Sequence, residues 1–249
     1  MNFYKLIIST VTKYSSGIMG EMSIRIMKDG PYIVTGGVPI YEKRIVKRDG
    51  IYVWEDGREL PQSETYALCR CGKSDNAPFC DGESHKRFKG KETADRRPYA
   101  ERAEKLEGPG MDMMDDVRCG KAMFCHRNGS STWELLKRSD DPDARNELIR
   151  AACECPTGRT VVMDKDGTVH EDVLEPSIYI VQDPGRNVSS GIYVMGGIPI
   201  TSADGEQYEV RNRVLLCRCG VSRDKPFCDA THINAMYKDS RGGSFLKKK

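Results

Sequence analysis

No stretch of this sequence comes near the roughly 20 consecutive apolar residues that a membrane-spanning helix requires. The longest apolar run near the start, Leu6-Ile7-Ile8, stops at Ser9-Thr10. With one lysine before it and no clean small-residue cleavage site, it makes a poor secretory leader. Aromatic residues are only 8% of the 249 positions and apolar residues 38%, which is low for a chain held by one large core. Charge of one sign is not in excess either. Lys and Arg number 39 against 37 Asp and Glu, a net of +2, whereas nucleic-acid binders concentrate cations on one face. Phosphate loops, dinucleotide fingerprints and nucleophile–base pairs at a suggestive spacing are missing as well. Something besides a big core must help to hold this chain.

What the chain does have is cysteine. Cys69, Cys71, Cys80, Cys119, Cys125, Cys153, Cys155, Cys217, Cys219 and Cys228 fall into clusters of three, four and three. An even count suits a disulfide framework in a short secreted chain, but Cys-x-Cys pairs put two sulfurs on one loop, where they suit a metal better. Lacking a leader, the chain is expected in a reducing, cytoplasmic compartment, where clustered thiols are metal ligands more often than disulfides.

The outer clusters belong to a repeat. Leu68-Cys69-Arg70-Cys71-Gly72-Lys73-Ser74 and Pro78-Phe79-Cys80-Asp81 recur as Leu216-Cys217-Arg218-Cys219-Gly220-Val221-Ser222 and Pro226-Phe227-Cys228-Asp229, every shared position 148 residues later. Upstream, Gly36-Gly37-Val38-Pro39-Ile40 matches Gly196-Gly197-Ile198-Pro199-Ile200, each preceded by a β-branched run that reads as a short strand. From Gly-Gly to the first cysteine is 33 residues in the first copy and 21 in the second. The first copy therefore carries an insertion, read as a hairpin around Asp49-Gly50 and Asp56-Gly57.

Each copy offers three thiolates and one imidazole: Cys69, Cys71, Cys80 and His85, then Cys217, Cys219, Cys228 and His232. That is a full ligand set for one tetrahedral zinc ion or one [2Fe–2S] cluster, and spacing alone does not separate the two. The pattern resembles the CDGSH iron–sulfur domain family, whose signature is C-x-C-x2-(S/T)-x3-P-x-C-D-G-(S/A/T)-H. The second copy follows it from Cys217 to His232 with Ala230 in place of glycine. The first follows it through Gly82 and then inserts one residue, so that Glu83-Ser84 precedes His85. The resemblance implies two [2Fe–2S] clusters, one iron of each held by the Cys-x-Cys pair and the other by the third cysteine and the histidine. An imidazole in place of a thiolate removes a negative charge and raises the reduction potential, and it adds a ligand able to take a proton. Pro78-Phe79 and Pro226-Phe227 are expected to open short helices carrying Cys80/His85 and Cys228/His232, with Asp81 and Asp229 as caps. Arg70, Arg218, Lys73 and Lys225 are expected to offset cluster charge.

Residues 111–180 hold 14 acidic and 9 basic side chains. Trp133-Glu134-Leu135-Leu136 reads as one short helix. Asp141-Pro142 supplies an N-cap and an N1 proline for a second, from Asp143 to about Ala152, with Leu148 and Ala152 on one face. Gly108-Pro109-Gly110 and Asp183-Pro184-Gly185 read as the segment's boundaries. The stretch resembles the divergent 4Fe–4S mono-cluster domain found beside CDGSH modules, through Cys119-x5-Cys125 and Cys155-Pro156-Thr157-Gly158. The resemblance implies a third cluster, [4Fe–4S] or [3Fe–4S], on Cys119, Cys125 and Cys155, with Cys153 favoured over His126 as fourth ligand. A cluster-free domain with buried thiols is the alternative. His170 reads as a surface histidine.

The expectation is thus an α+β protein of small β-rich cluster-binding modules, pseudo-two-fold related, flanking a helical or ferredoxin-like middle domain. Its parts are an N-terminal extension (1–22), a first CDGSH module (23–98), the middle domain (99–182), a second module (183–240) and a basic tail (241–249). It is either a monomer with an internal pseudo-dimer or a homodimer. The function expected is electron transfer, cluster transfer or redox sensing with redox or cluster-acceptor protein partners, without enzyme activity, nucleic acid or membrane. A redox enzyme subunit and a zinc-stapled binding module are the alternatives.

Overall fold

The computed structural model describes residues 21–240; the first 20 residues of the extension and the basic tail lie outside them. Three short strands make up the first copy and a longer hairpin interrupts them: β1 (Ser23–Ile26), β2 (Tyr32–Thr35), β3 (Ile40–Arg48), β4 (Ile51–Glu59) and β5 (Thr65–Leu68). A middle segment comes next with α1 (Tyr99–Arg102), β6 (Glu104–Glu107), β7 (Met111–Asp115), β8 (His126–Arg127), β9 (Ser130–Ser131), α2 (Thr132–Leu136), α3 (Pro142–Cys153), β10 (Thr160–Asp164) and β11 (Val169–His170). The second copy contributes β12 (Ser177–Asp183), β13 (Val188–Met195), β14 (Ile200–Thr201), β15 (Arg213–Leu216) and α4 (Thr231–Asn234).

The two copies do not form separate sheets. β1, β2 and β5 are joined by β14 of the second copy, which runs parallel to β1 with Ile24 opposite Ile200. In return β12, β13 and β15 take in β3 of the first copy, parallel to β12 with Ile40 opposite Ile178. Even the first bond of each parallel pair is matched, Ile24 N to Pro199 O and Ile178 N to Pro39 O, both 2.9 Å. The exchange arises from the Gly-Gly-x-Pro turn after β2 and β13. All four glycines hold positive φ (84°, 65°, 75° and 73°), which carries the chain off its own sheet at little steric cost. Alternate residues of these strands meet in one core: Ile24, Ile26, Val34 and Ile40 pack with Ile178, Ile180, Val194 and Ile200, all 4% exposed or less. A parallel strand buried on both faces requires such β-branched residues.

The inserted hairpin is β3–β4. Its two-residue turn, Asp49-Gly50, has φ of 50° and 84°, the pair of positive values that matches strand twist in a type I′ turn. Trp54 on β4 stacks on Phe124 of the middle segment at 4.5 Å and on Tyr193 of the second copy at 5.4 Å. The insertion therefore joins all three parts.

The middle segment is an antiparallel sheet in the order β11-β10-β7-β6, with α2 and α3 packed on it. Both helices start as their sequences dictate. Ser131 and Glu134 form a capping box on α2, and Asp141 accepts the Ala144 amide ahead of Pro142 on α3. Leu148 and Ala152 lie inward with Met111, Met113 and Val162. The two turn signals expected at the segment's boundaries fall elsewhere. Gly108-Pro109-Gly110 joins β6 to β7 inside the middle sheet, and Asp183-Pro184-Gly185 joins β12 to β13 inside the second copy, with Asp183 accepting the Arg186 amide. A tight turn satisfies a hairpin as well as a domain edge. Among the described residues, no helix is long and apolar enough to cross a membrane.

Candidate metal centre

β5 and β15 each end by delivering a Cys-x-Cys loop. The loop then folds back through a cis X-Pro bond, Ala77-Pro78 or Lys225-Pro226, so that its third cysteine sits beside the strand. In the first copy Cys69 N donates to Pro78 O (2.8 Å) and Cys80 N to Ala67 O (2.8 Å). In the second Cys217 N donates to Pro226 O and Cys228 N to Leu215 O, again at 2.8 Å. The Ser of the motif closes each loop: Ser74 Oγ donates to Phe79 O at 2.6 Å and Ser222 Oγ to Phe227 O at 2.7 Å. Asp81 and Asp229 stitch the same loops rather than offering catalytic acids. Asp81 accepts the amides of Asp75, Glu83 and Ser84, and Asp229 those of Arg223 and Thr231. The Ser84 hydroxyl and the Ser84 and Glu83 amides hold the Asp81 carboxyl well below its usual range.

The expected helices after the two prolines do not form. The cis bond makes a reverse turn, and the only helix of either loop, α4, begins at Thr231, beyond Cys228. The extra residue before His85 is absorbed in this turn. Gly82 and Ala230 both adopt the left-handed conformation, φ 80° and 67°, and the next amides fold onto Asp81 or Asp229.

The eight candidate ligands come together in pairs. Cys69 and Cys71 sulfurs lie 3.7 Å apart, Cys217 and Cys219 3.6 Å. Cys80 Sγ faces His85 Nδ1 at 3.4 Å, and Cys228 Sγ faces His232 Nδ1 at 3.3 Å. Within each Cys-x-Cys pair one thiolate accepts a hydrogen bond from its neighbour, which lowers Cys69 and Cys217 to about 6 and pushes Cys71 and Cys219 up. Burial pushes Cys228 up and, with the Arg218 charge, His232 down to about 4. Among the described residues, no three His, Cys, Asp or Glu side chains converge as a single metal ion would need.

The two loops touch each other reciprocally. Gly72 abuts Cys219, where an added Cβ would lie 2.4 Å from the carbonyl oxygen, and Gly220 abuts Cys71 at the same 2.4 Å. Both glycines also have positive φ, 76° and 79°. Arg70 and Arg218, expected beside the ligands as charge partners, are buried and hydrogen-bonded elsewhere, although the Arg218 charge still acts on His232. Arg218 donates to Ser190 O and Val181 O and pairs with Asp239, while Arg70 donates to Met27 O and Gly90 O. Each clamps the loop to neighbouring backbone.

In the middle segment Cys119, Cys125 and Cys155 line one cleft with Phe124, Trp133, Thr157 and Arg159. The Lys121 amide points at Cys119 Sγ (3.4 Å), and Cys155 Sγ lies 3.3 Å from Thr157 Oγ1. Burial and the neighbouring charges of Cys155 and Cys119 push Cys125 up to about 11. Cys153 does not join them. It ends α3 facing β11, its sulfur 3.6 Å from His170 O, because residues two apart at a helix end point to opposite sides. His126 is exposed and outside the cleft, and His170 is half-buried beside Asp164 at 2.9 Å.

The cleft adjoins the second ligand set. Phe124 and Ala122 share a hydrophobic cluster with Leu215 and Cys228, Gly120 abuts Leu215, and the Arg118 guanidinium lies 4.1 Å from the Phe227 ring. Sequence reasoning found all the thiols but missed this adjacency, which joins residues about 100 positions apart.

Searches among curated proteins and among solved structures found no match. The family model for the iron-binding zinc finger of CDGSH type matches the chain twice, over residues 29–86 and 190–233, and each match contains one Cys-x-Cys loop, one third cysteine and one histidine. The chain thus carries two matches to the CDGSH iron-binding type, which together span about two-fifths of its length, and these imply a metal-binding protein of the iron–sulfur class.

Proposed function

We propose that each ligand set holds one [2Fe–2S] cluster and that the protein serves electron transfer, cluster transfer or redox sensing between protein partners rather than catalysis. The observation that carries this is the pairing of ligands in both copies, two sulfurs at 3.6–3.7 Å and a sulfur and Nδ1 at 3.3–3.4 Å, with no trio closed on a point among the described residues. Two pairs suit two irons; a single zinc needs four ligands around one centre. Cys69 and Cys71 would hold one iron and Cys80 with His85 the other, and likewise Cys217, Cys219, Cys228 and His232. Such a cluster supplies one-electron chemistry. The chain's own residues do the rest: Asp81 and Asp229 fix the loops, and Nδ1 of each histidine is turned toward its cysteine.

The matched strand exchange and the paired Gly72–Cys219 and Gly220–Cys71 contacts support a pseudo-two-fold relation inside one chain, a pairing that needs no second copy. The three-thiol cleft supports a third cluster on Cys119, Cys125 and Cys155, its fourth ligand not being Cys153. An ultraviolet–visible spectrum of anaerobically purified protein, with iron, sulfide and zinc assayed on the same sample, tests all of this. Visible charge-transfer bands are expected, with about seven or eight irons per chain if the middle cleft is filled and about four if only the outer sets are. A colourless protein with stoichiometric zinc overturns the reading in favour of a zinc-stapled module.

A further inference from the structure

The two ligand sets differ in their surroundings. Cys228 and His232 are 3% and 2% exposed, sealed by the middle segment and the strand β13. Cys80 and His85 are half-buried, because the middle segment packs on the cysteine–histidine pair of the second set; among the second set's ligands Cys219 alone is half-buried too. The chain just past each histidine differs as well. Residues 85–91, His85-Lys86-Arg87-Phe88-Lys89-Gly90-Lys91, carry four cations and no acid, whereas His232 to Lys238 carry one cation.

The basic segment is held rigidly with its cations outward. The Phe88 amide donates to His85 O (2.7 Å), the Phe88 ring lies 5.5 Å from the Arg70 guanidinium, and the Gly90 amide donates to Asp29 Oδ1 (2.7 Å). Phe88 and Gly90 thus face inward and Arg87, Lys89 and Lys91 face solvent. Lys86 is paired with Glu83. Among the described residues, no acidic side chain pairs with Lys73, Arg87, Lys89 or Lys91.

We propose that Arg87, Lys89 and Lys91, exposed in the segment that follows His85, form the docking surface for an acidic protein partner at the Cys80–His85 edge. This rests on the reading that Cys80 and His85 are ligands. A partner exchanging electrons or a cluster must approach a ligand edge, and the first set offers its cysteine–histidine pair, whereas the second offers only Cys219. Fixed, unpaired cations there steer an acidic surface into register over roughly a Debye length, about 8 Å at physiological salt. The patch is short, with Asp81 and Glu83 before it and Glu92 after it, too brief an array of cations for an extended phosphate backbone.

The test measures binding of the full-length, metal-loaded protein to flavodoxin, used as an acidic one-electron protein probe, at about 50 and about 300 mM salt. Association is expected to weaken at the higher salt. The R87E/K89E/K91E variant should lose at least about tenfold in affinity at low salt, with K47E/K137E/R138E near wild type and all three spectra alike. Equal loss in both variants, no association with flavodoxin, or tighter binding to phosphatidylserine vesicles or duplex DNA overturns the proposal. The spectrum and metal assay of the same sample report on the ligand reading separately: a coloured protein that fails to bind refutes the docking surface alone.

Discussion

The two CDGSH copies share a loop and differ in its cover. Their corresponding backbone and serine hydrogen bonds agree within about 0.1 Å across Cys69–Cys80 and Cys217–Cys228, yet Cys80 and His85 reach solvent while Cys228 and His232 do not. Short-range sequence sets the loop; its cover is set by segments far along the chain. A repeated motif in one protein can therefore present one chemistry in two environments.

The likeness of the copies can be disrupted most severely at the contact they share. Gly72→Ala and Gly220→Ala each place a methyl 2.4 Å from the other loop's carbonyl at a positive φ. Each should cost about 3 kcal/mol or more and reduce metal content at both sets, read by denaturant midpoint and iron assay. Loss confined to the mutated copy would show that the loops do not depend on each other.

Next in size is Leu148→Ala in the middle core, fully buried and expected to cost about 2–5 kcal/mol. Because the middle segment covers only the second set, thiol labelling of metal-free protein should rise at Cys228 and stay unchanged at Cys80. A rise at both would remove the asymmetric cover.

A pH scan probes the same contrast. Burial, and then the Arg218 charge, lower His232 from 6.5 to about 4. The folded state resists the proton that the unfolded chain accepts, so this stability is complete above about pH 6.5 and is lost as pH falls through about 4. Metal-free protein should show that loss in thermal scans, and His232→Gln should abolish the part due to this group. An unchanged pH profile in the variant would assign the acid lability to other groups.

The smallest effect is at the turn. Ala230 stands at φ 67° where the first copy has Gly82 at 80°. Ala230→Gly should stabilise by about 0.5–1 kcal/mol, and Gly82→Ala destabilise by a similar amount, measurable by paired denaturant titrations. Opposite signs would mean that chain entropy outweighs the left-handed strain.

Much of the site was legible in the sequence because metal-binding loops are local. Cysteine spacing, the histidine four or five residues on and the 148-residue offset name the eight candidate ligands, and the capping residues Ser131, Glu134 and Asp141 name the middle helices. What was illegible depends on distant partners. Nothing near Arg70 and Arg218 in the sequence names the backbone carbonyls of Met27, Gly90, Ser190 and Val181 that hold them. Cys153 looks like a fourth ligand until the end of α3 directs it toward His170. Gly108-Pro109-Gly110 marks a turn equally well inside a sheet and between domains. The exchange of β3 and β14 leaves no trace at all in local pattern, since a β-branched strand pairs as readily with a distant neighbour as with a near one.

That exchange also constrains how the chain can be made. The first sheet takes its last strand, Ile200–Thr201, from the second copy and the second takes β3 from the first, so neither sheet closes until the second copy has left the ribosome. Contacts this far apart in sequence delay folding, and the Cys69-x-Cys71 loop, which leans on Cys219, gains its support only once that residue has emerged. Loading of metal into the first site would then follow synthesis of the second copy rather than accompany that of the first.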